Sequence, residues 1–182
     1  WSAESAAASP KLAALIAAAT TLADPEPVAA VQMSAGRSLL IVGEAGAALG
    51  WAERLAGSFE PAVLITARSK DVELPAVNAY PVWSGKPVAL SGHLGAFELG
   101  WTQHNPIDLE LCVRCNACVK ACPEGAIGWD LQVDVDACRS HGACVAACGE
   151  IGAIDFARAD TPRRERVALV LDLSAAPLLR RV

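Results

Sequence analysis

Seven cysteines lie between residues 112 and 148 of a chain of 182, and their spacing is what could do chemistry. Cys112, Cys115, Cys118 and Cys122 follow the pattern C-x2-C-x2-C-x3-C, with Pro123 directly after. Three thiolates two residues apart in a tight loop wrap three corners of an iron–sulfur cubane. Cys138, Cys144 and Cys148 lie 26 residues beyond Cys112, Cys118 and Cys122, and the residue 26 beyond Cys115 is His141. The repeat extends past these positions: Cys112-Val-Arg-Cys-Asn-Ala-Cys-Val-Lys-Ala-Cys-Pro aligns with Cys138-Arg-Ser-His-Gly-Ala-Cys-Val-Ala-Ala-Cys-Gly without a gap. Seven cysteines thus fill seven of eight ligand positions. An odd count and repeated ligand spacing argue against disulfides. Zinc is the better rival, although its four-ligand sites usually pair two short motifs rather than set three close ligands before a fourth.

On these residues the segment from about Asn105 to Ala157 resembles a bacterial-type ferredoxin with two 4Fe-4S clusters. The resemblance covers under a third of the chain. It implies a pseudo-twofold fold of two short helices and two small hairpins, in which the end of each motif completes the other motif's cluster. Cys112, Cys115, Cys118 and Cys148 would then hold one cluster, and Cys138, Cys144, Cys122 and His141 the other. Locally, Ile127-Gly-Trp129 and Val133-Asp-Val135 alternate around Asp130-Leu-Gln132 as a hairpin does. There are two departures, His141 in place of a cysteine and Gly149 where the first motif has Pro123. Imidazole can ligate iron, and a neutral ligand raises the reduction potential by removing a negative charge. A 3Fe-4S cluster, an iron with a non-protein ligand and a degenerate second site are the other outcomes of the replacement.

The elements that must position these ligands read as an α+β chain. Residues 1–30 give an amphipathic helix and a linker: Ser9 caps, Pro10 sits in the first turn, and Leu12, Leu15, Ile16, Ala19 and Leu22 share a face suited to packing on the domain. Asp24-Pro25-Glu26-Pro27 then breaks the pattern. Residues 31–104 form a small α/β domain. Its strand-helix-strand unit runs through Ser38–Val42, Ala45–Ala56 and Ala62–Thr66, with β segments around Tyr80–Trp83, Pro87–Leu90 and Gly95–Thr102. The turn Gly43-Glu44-Ala45-Gly46 fails the dinucleotide fingerprint, because Ala45 and Ala48 occupy two of its three glycine positions, so it reads as structural. Residues 105–157 are the dicluster domain. Residues 158–182 form a basic segment with one strand, Arg166–Leu173.

Composition limits the remaining choices. The 37 alanines inflate a hydrophobic content of 53%, so the supply of large side chains is thin. The longest clean apolar run, Leu12–Ala19, is too short to span a bilayer, although it has the length of a secretory signal's apolar region. A net charge of −5 argues against nucleic-acid binding. The acidity concentrates on the cysteine-rich segment. Asp108, Glu110, Asp134 and Asp136 there are either solvated or steer a basic partner, while the arginines after it are solvated or dock on that acidic stretch or on a partner. Trp101 and Trp129 either shield clusters from water or pack in core and hairpin. His93 and His104 read as surface or turn residues. The chain opens on Trp1, so localisation is argued from chemistry, and reduced thiols point to the cytoplasm. The expected function is one-electron transfer between redox partner proteins, with substrate chemistry not required. The alternatives are an iron–sulfur subunit of a larger oxidoreductase and a structural zinc module.

Overall fold

The computed structural model describes residues 5–22, 36–77, 79–158 and 160–178. Two compact units divide the chain, residues 1–32 and 33–182. The first contains α1 (Ser5–Leu22), which begins ahead of the expected cap at Ser9 and so encloses Pro10. Every residue from Ala8 to Thr21 is exposed, Leu12, Leu15 and Ile16 included. Alanines surround these side chains on all sides of the helix, so its apolar and polar surfaces are hardly separated. The expected linker at Asp24–Pro27 lies outside the described residues. Among the described residues, no helix is long and apolar enough to cross a membrane.

The second unit is built on two sheets. β1 (Ser38–Glu44), β2 (Glu60–Ala67), β3 (Val82–Ser84) and β7 (Leu169–Asp172) form a parallel sheet in the order β3-β2-β1-β7. β4 (Lys86–His93), β5 (Ala96–Gln103) and β6 (Thr161–Val167) form an antiparallel one in that order. The unbroken apolar run Leu39–Val42 is what a strand covered on both faces requires. Leu40, Val42 and Leu64 pack with Leu99 and Trp101 of the second sheet. Leu39, Ile41, Val63 and Ile65 face α2 (Ala45–Leu55) through Ala45, Ala48, Leu49 and Ala52, and the same core continues into Ile107, Leu109, Ile127, Leu131 and Ile154 of the cysteine-rich segment.

Glu44 caps α2, its carboxylate accepting from the Gly46 N–H at 3.4 Å, and a side chain on Gly43 would meet Leu173 at 2.9 Å. The C-terminal segment, expected to hold one strand, holds two. At Ala168, buried and donating its N–H to Ser38 Oγ at 2.9 Å, the chain leaves one sheet and enters the other. The cysteine-rich segment is consequently an excursion between β5 and β6, whose ends are paired through Gln103 and Thr161.

Parallel neighbours need a crossover of a dozen or more residues, usually a helix. Between β2 and β3 the described residues of the crossover, which spans 68–81, contain neither helix nor strand. Its polar groups bond instead to the cysteine-rich segment. Ser69 N–H donates to Asp130 Oδ2 at 2.6 Å, Leu74 N–H to the Trp129 carbonyl at 3.3 Å, and Pro75 O accepts from Arg114 Nη1 at 2.7 Å. Glu73 Oε1 accepts from Asn116 Nδ2 at 2.7 Å, and Arg68 pairs with Asp134 at 2.5 Å.

Candidate metal centre

Two stretches of backbone repeat each other. Arg114 (φ 55°) and Asn116 (φ 57°) are left-handed in the first motif, and Ser140 (φ 57°) and Gly142 (φ 71°) are left-handed 26 positions later. This conformation costs non-glycine residues about 1–3 kcal/mol each, and alternating hands turn successive N–H groups into an anion-binding concavity. Arg114 N–H donates to Cys112 Sγ at 3.3 Å and Ser140 N–H to Cys138 Sγ at 3.4 Å. The short helices α3 (Ala117–Ala121) and α4 (Ala143–Cys148) start directly afterwards and bury Cys118 and Cys144 in their first turns. Cys112 and Cys138 donate their N–H groups to the carbonyls of Asp108 (2.9 Å) and Asp134 (3.0 Å), whose own N–H groups bond Ala153 O (2.8 Å) and Ala126 O (2.7 Å). Bridges Ile107–Ile154 and Ile127–Val133 close the two ends. The second half takes one extra residue in a 3₁₀ turn, Gly149–Ile151. Gly149 has φ 58° and ψ −136°, which a proline ring forbids, so the loss of the proline found at 123 follows from the local backbone.

The seven thiols fall into two groups. Cys112, Cys115, Cys118 and Cys148 line one cavity of about 20 Å³, with Ile107, Ile151 and Ile154 as apolar walls and Cys115 exposed. Cys122, Cys138 and Cys144 line a second of about 250 Å³ together with His141, Glu124 and Phe156. Burial first, then the nearby Cys112 and Cys115, push the Cys118 thiol up to about 11. Cys112 is raised by burial, against the Arg114 N–H that favours its thiolate, and Cys115 and Cys148 add to the rise. Cys144 is raised by burial and then by Cys122 and Cys138. Cys112 and Cys144 thus each feel a thiol of the other motif in their own cavity, Cys148 and Cys122 respectively. His141 is half exposed at the rim of the second cavity, its Nε2 3.7 Å from Glu124 Oε1. Among the described residues, no three Cys, His, Asp or Glu side chains converge on a single metal ion. The thiols surround volumes rather than points.

Residues 104–149 match the family model of a 4Fe-4S dicluster domain. No curated protein matches the chain. The dicluster segment is thus an iron–sulfur, ferredoxin-like domain with an electron-transfer role. The residues present fit such a group: soft thiolate donors, N–H groups aimed at sulfur, and an orphaned buried cation. That cation is Arg114, 6% exposed, with no carboxylate partner among the described residues and its Nε without a hydrogen-bond partner.

Other sequence candidates take structural places. Asp108 pairs with Arg158 at 2.8 Å, Glu110 with Arg163 at 2.5 Å, and Asp134 with Arg68, so three of the four acids are held internally and Asp136 is exposed. Arg158 and Arg163 accordingly dock on the acidic stretch, whereas Arg164 and Arg166 stay largely solvated beside Glu98. Trp101 is core, 2% exposed, its ring tilted against Trp83 with centroids 6.0 Å apart, and neither it nor Trp129 lines a thiol cavity. His104 meets Asp160 at 2.8 Å on the surface, and His93 Nδ1 lies 3.0 Å from the Leu94 carbonyl oxygen. Sequence patterns missed Arg114, Asp130 and Asn105. Asn105, buried, grips the 127–133 hairpin through Leu131 O (2.8 Å) and Val133 N (3.3 Å). Its only local signal is a polar residue set between β5 and Pro106.

Proposed function

We propose that the chain is a carrier of two iron–sulfur clusters, the first held by Cys112, Cys115, Cys118 and Cys148 and the second by Cys122, Cys138, Cys144 and His141. The observation that carries this reading is that each cavity is lined by donors from both motifs. Repeated backbone bonds at 26-residue spacing support the pseudo-twofold arrangement behind it. A bound 4Fe-4S cluster supplies one-electron oxidation and reduction. The chain's part is to hold it. Arg114 and Ser140 donate their N–H groups to Cys112 Sγ and Cys138 Sγ, and buried Cys118 and Cys144 are kept from bulk water. His141 contributes a neutral donor where the first site has the Cys115 thiolate. Substrate chemistry plays no part, and the partners are redox proteins on either side of the transfer.

Iron and acid-labile sulfide per chain, with EPR of the reduced protein, test the reading. Eight irons and two interacting signals are expected. His141→Cys should keep eight irons and change the second signal. Unchanged spectra would sink ligation by His141, and a colourless protein would favour the zinc module. If the purified chain alone oxidised NAD(P)H, the pure-carrier reading would fail.

A further inference from the structure

We propose that Arg114 is the fixed counter-charge of the first cluster site, held there by the β2–β3 crossover so that this site becomes as easily reduced as the histidine-bearing second one. The inference rests on the ligand assignment above and goes beyond it, because it gives the α/β body a part in setting a potential.

The first site carries four thiolates and the second three, so ligand charge alone makes the first harder to reduce. The asymmetry has a match in the protein. Arg114 and Ser140 occupy the same place in the repeat, with φ of 55° and 57°, yet one bears a buried guanidinium and the other an exposed hydroxyl. A guanidinium buried without an anion is expensive, and truncating such a group's partner is strongly destabilising. Among the described residues Arg114 Nη1 finds the neutral Pro75 carbonyl, at 2.7 Å, and Nε finds no hydrogen-bond partner. Beside it lie Cys112, whose Sγ accepts from the Arg114 N–H at 3.3 Å, and the phenol of Tyr80, also buried without a hydrogen-bond partner. Glu73–Asn116 at 2.7 Å and Leu74–Trp129 at 3.3 Å hold the crossover in register directly ahead of Pro75. The cation is therefore placed by residues outside the dicluster segment.

An EPR-monitored anaerobic redox titration of the full, cluster-loaded chain tests this, with Arg114→Gln and Arg114→Lys. The neutral variant should lower the first cluster's reduction equilibrium constant at least tenfold, 59 mV for a one-electron couple, and leave the second unchanged. Lysine should retain most of the native value. Identical midpoints in Arg114→Gln and the native protein, or equal displacement by Gln and Lys, would overturn the proposal. The native protein supplies a reading that depends on no variant: both clusters should titrate within tenfold of each other, and a first cluster more than a hundredfold harder to reduce overturns the inference. Iron analysis separates the two readings. Four irons with the second signal missing removes ligation by His141, while the Gln–Lys comparison on the first cluster still decides the part of Arg114.

Discussion

Asp130 ties the crossover to the dicluster segment, and removing it should weaken the whole second unit. The side chain is fully buried, with Oδ2 accepting from Ser69 N–H at 2.6 Å and Oδ1 from Gln132 N–H at 3.1 Å. Asp130→Ala leaves both donors unpaired, at about 1–3 kcal/mol each. Relief of a buried carboxyl offsets part of this, since burial raises the Asp130 pKa despite the two N–H bonds. A net loss of about 2–4 kcal/mol remains. With a urea dependence of about 2 kcal/mol/M, the midpoint should fall by about 1–2 M, read anaerobically by far-ultraviolet circular dichroism and visible absorbance together. A shift under about 0.3 M would refute the reasoning. The pH dependence has a definite sign. Because the folded-state value is raised above the ordinary 3.8, the folded protein binds the proton more tightly. The stability from this carboxyl therefore falls as pH rises between the two values and is flat above. The native protein's advantage over Asp130→Asn should accordingly shrink as pH rises through that window.

Other substitutions read single contacts. Cys148→Ser should remove the first cluster and leave the second, halving the iron content; loss of the second cluster instead would mean that each motif closes on itself. Gly85→Ala would place a methyl group against the Thr102 carbonyl and 2.5 Å from the Trp101 ring, an overpacking worth about 1–3 kcal/mol in thermal unfolding. The Arg68 hydrogen bond holds the Asp134 carboxyl below its ordinary 3.8, so the stability it contributes is present above that value and lost as pH falls through the lowered one. Arg68→Met should flatten that part of an acid titration of the urea midpoint.

What could be read from the sequence was whatever depends on neighbours along the chain. Ligand spacing, the apolar runs at Leu39–Val42 and Ala62–Ile65, and the misfit of Gly43–Gly46 to a nucleotide loop are all local, and the strands and the Glu44-capped helix agree with them. The rest depends on distant partners. Trp101 has the composition of a cluster shield, but the strand alternation of β5 turns it toward Trp83 and the inter-sheet core. The strand break at Ala168 has no turn residue to announce it; a serine 130 positions earlier creates it. Arg114, between two cysteines, looks like any solvated loop arginine until the crossover arrives over it.

The crossover also explains why the dicluster segment is an insertion and not an appended module. A parallel pair such as β2 and β3 normally satisfies its connection internally, with a helix, and buries that helix on the sheet. Here the described residues of 68–81 have no helix, and buried backbone groups must still be bonded. Asp130, Trp129 and Arg114 supply those bonds, while Ile107, Ile127, Leu131 and Ile154 continue the apolar core that α2 begins. The segment does the work of the absent helix. Cluster assembly and completion of the α/β body are in that case one thermodynamic event, since binding that orders the thiol loops also orders the groups the crossover needs. Electrostatic tuning follows the same route in reverse: the loop that receives its hydrogen bonds from the dicluster segment returns a held cation to the first thiol site.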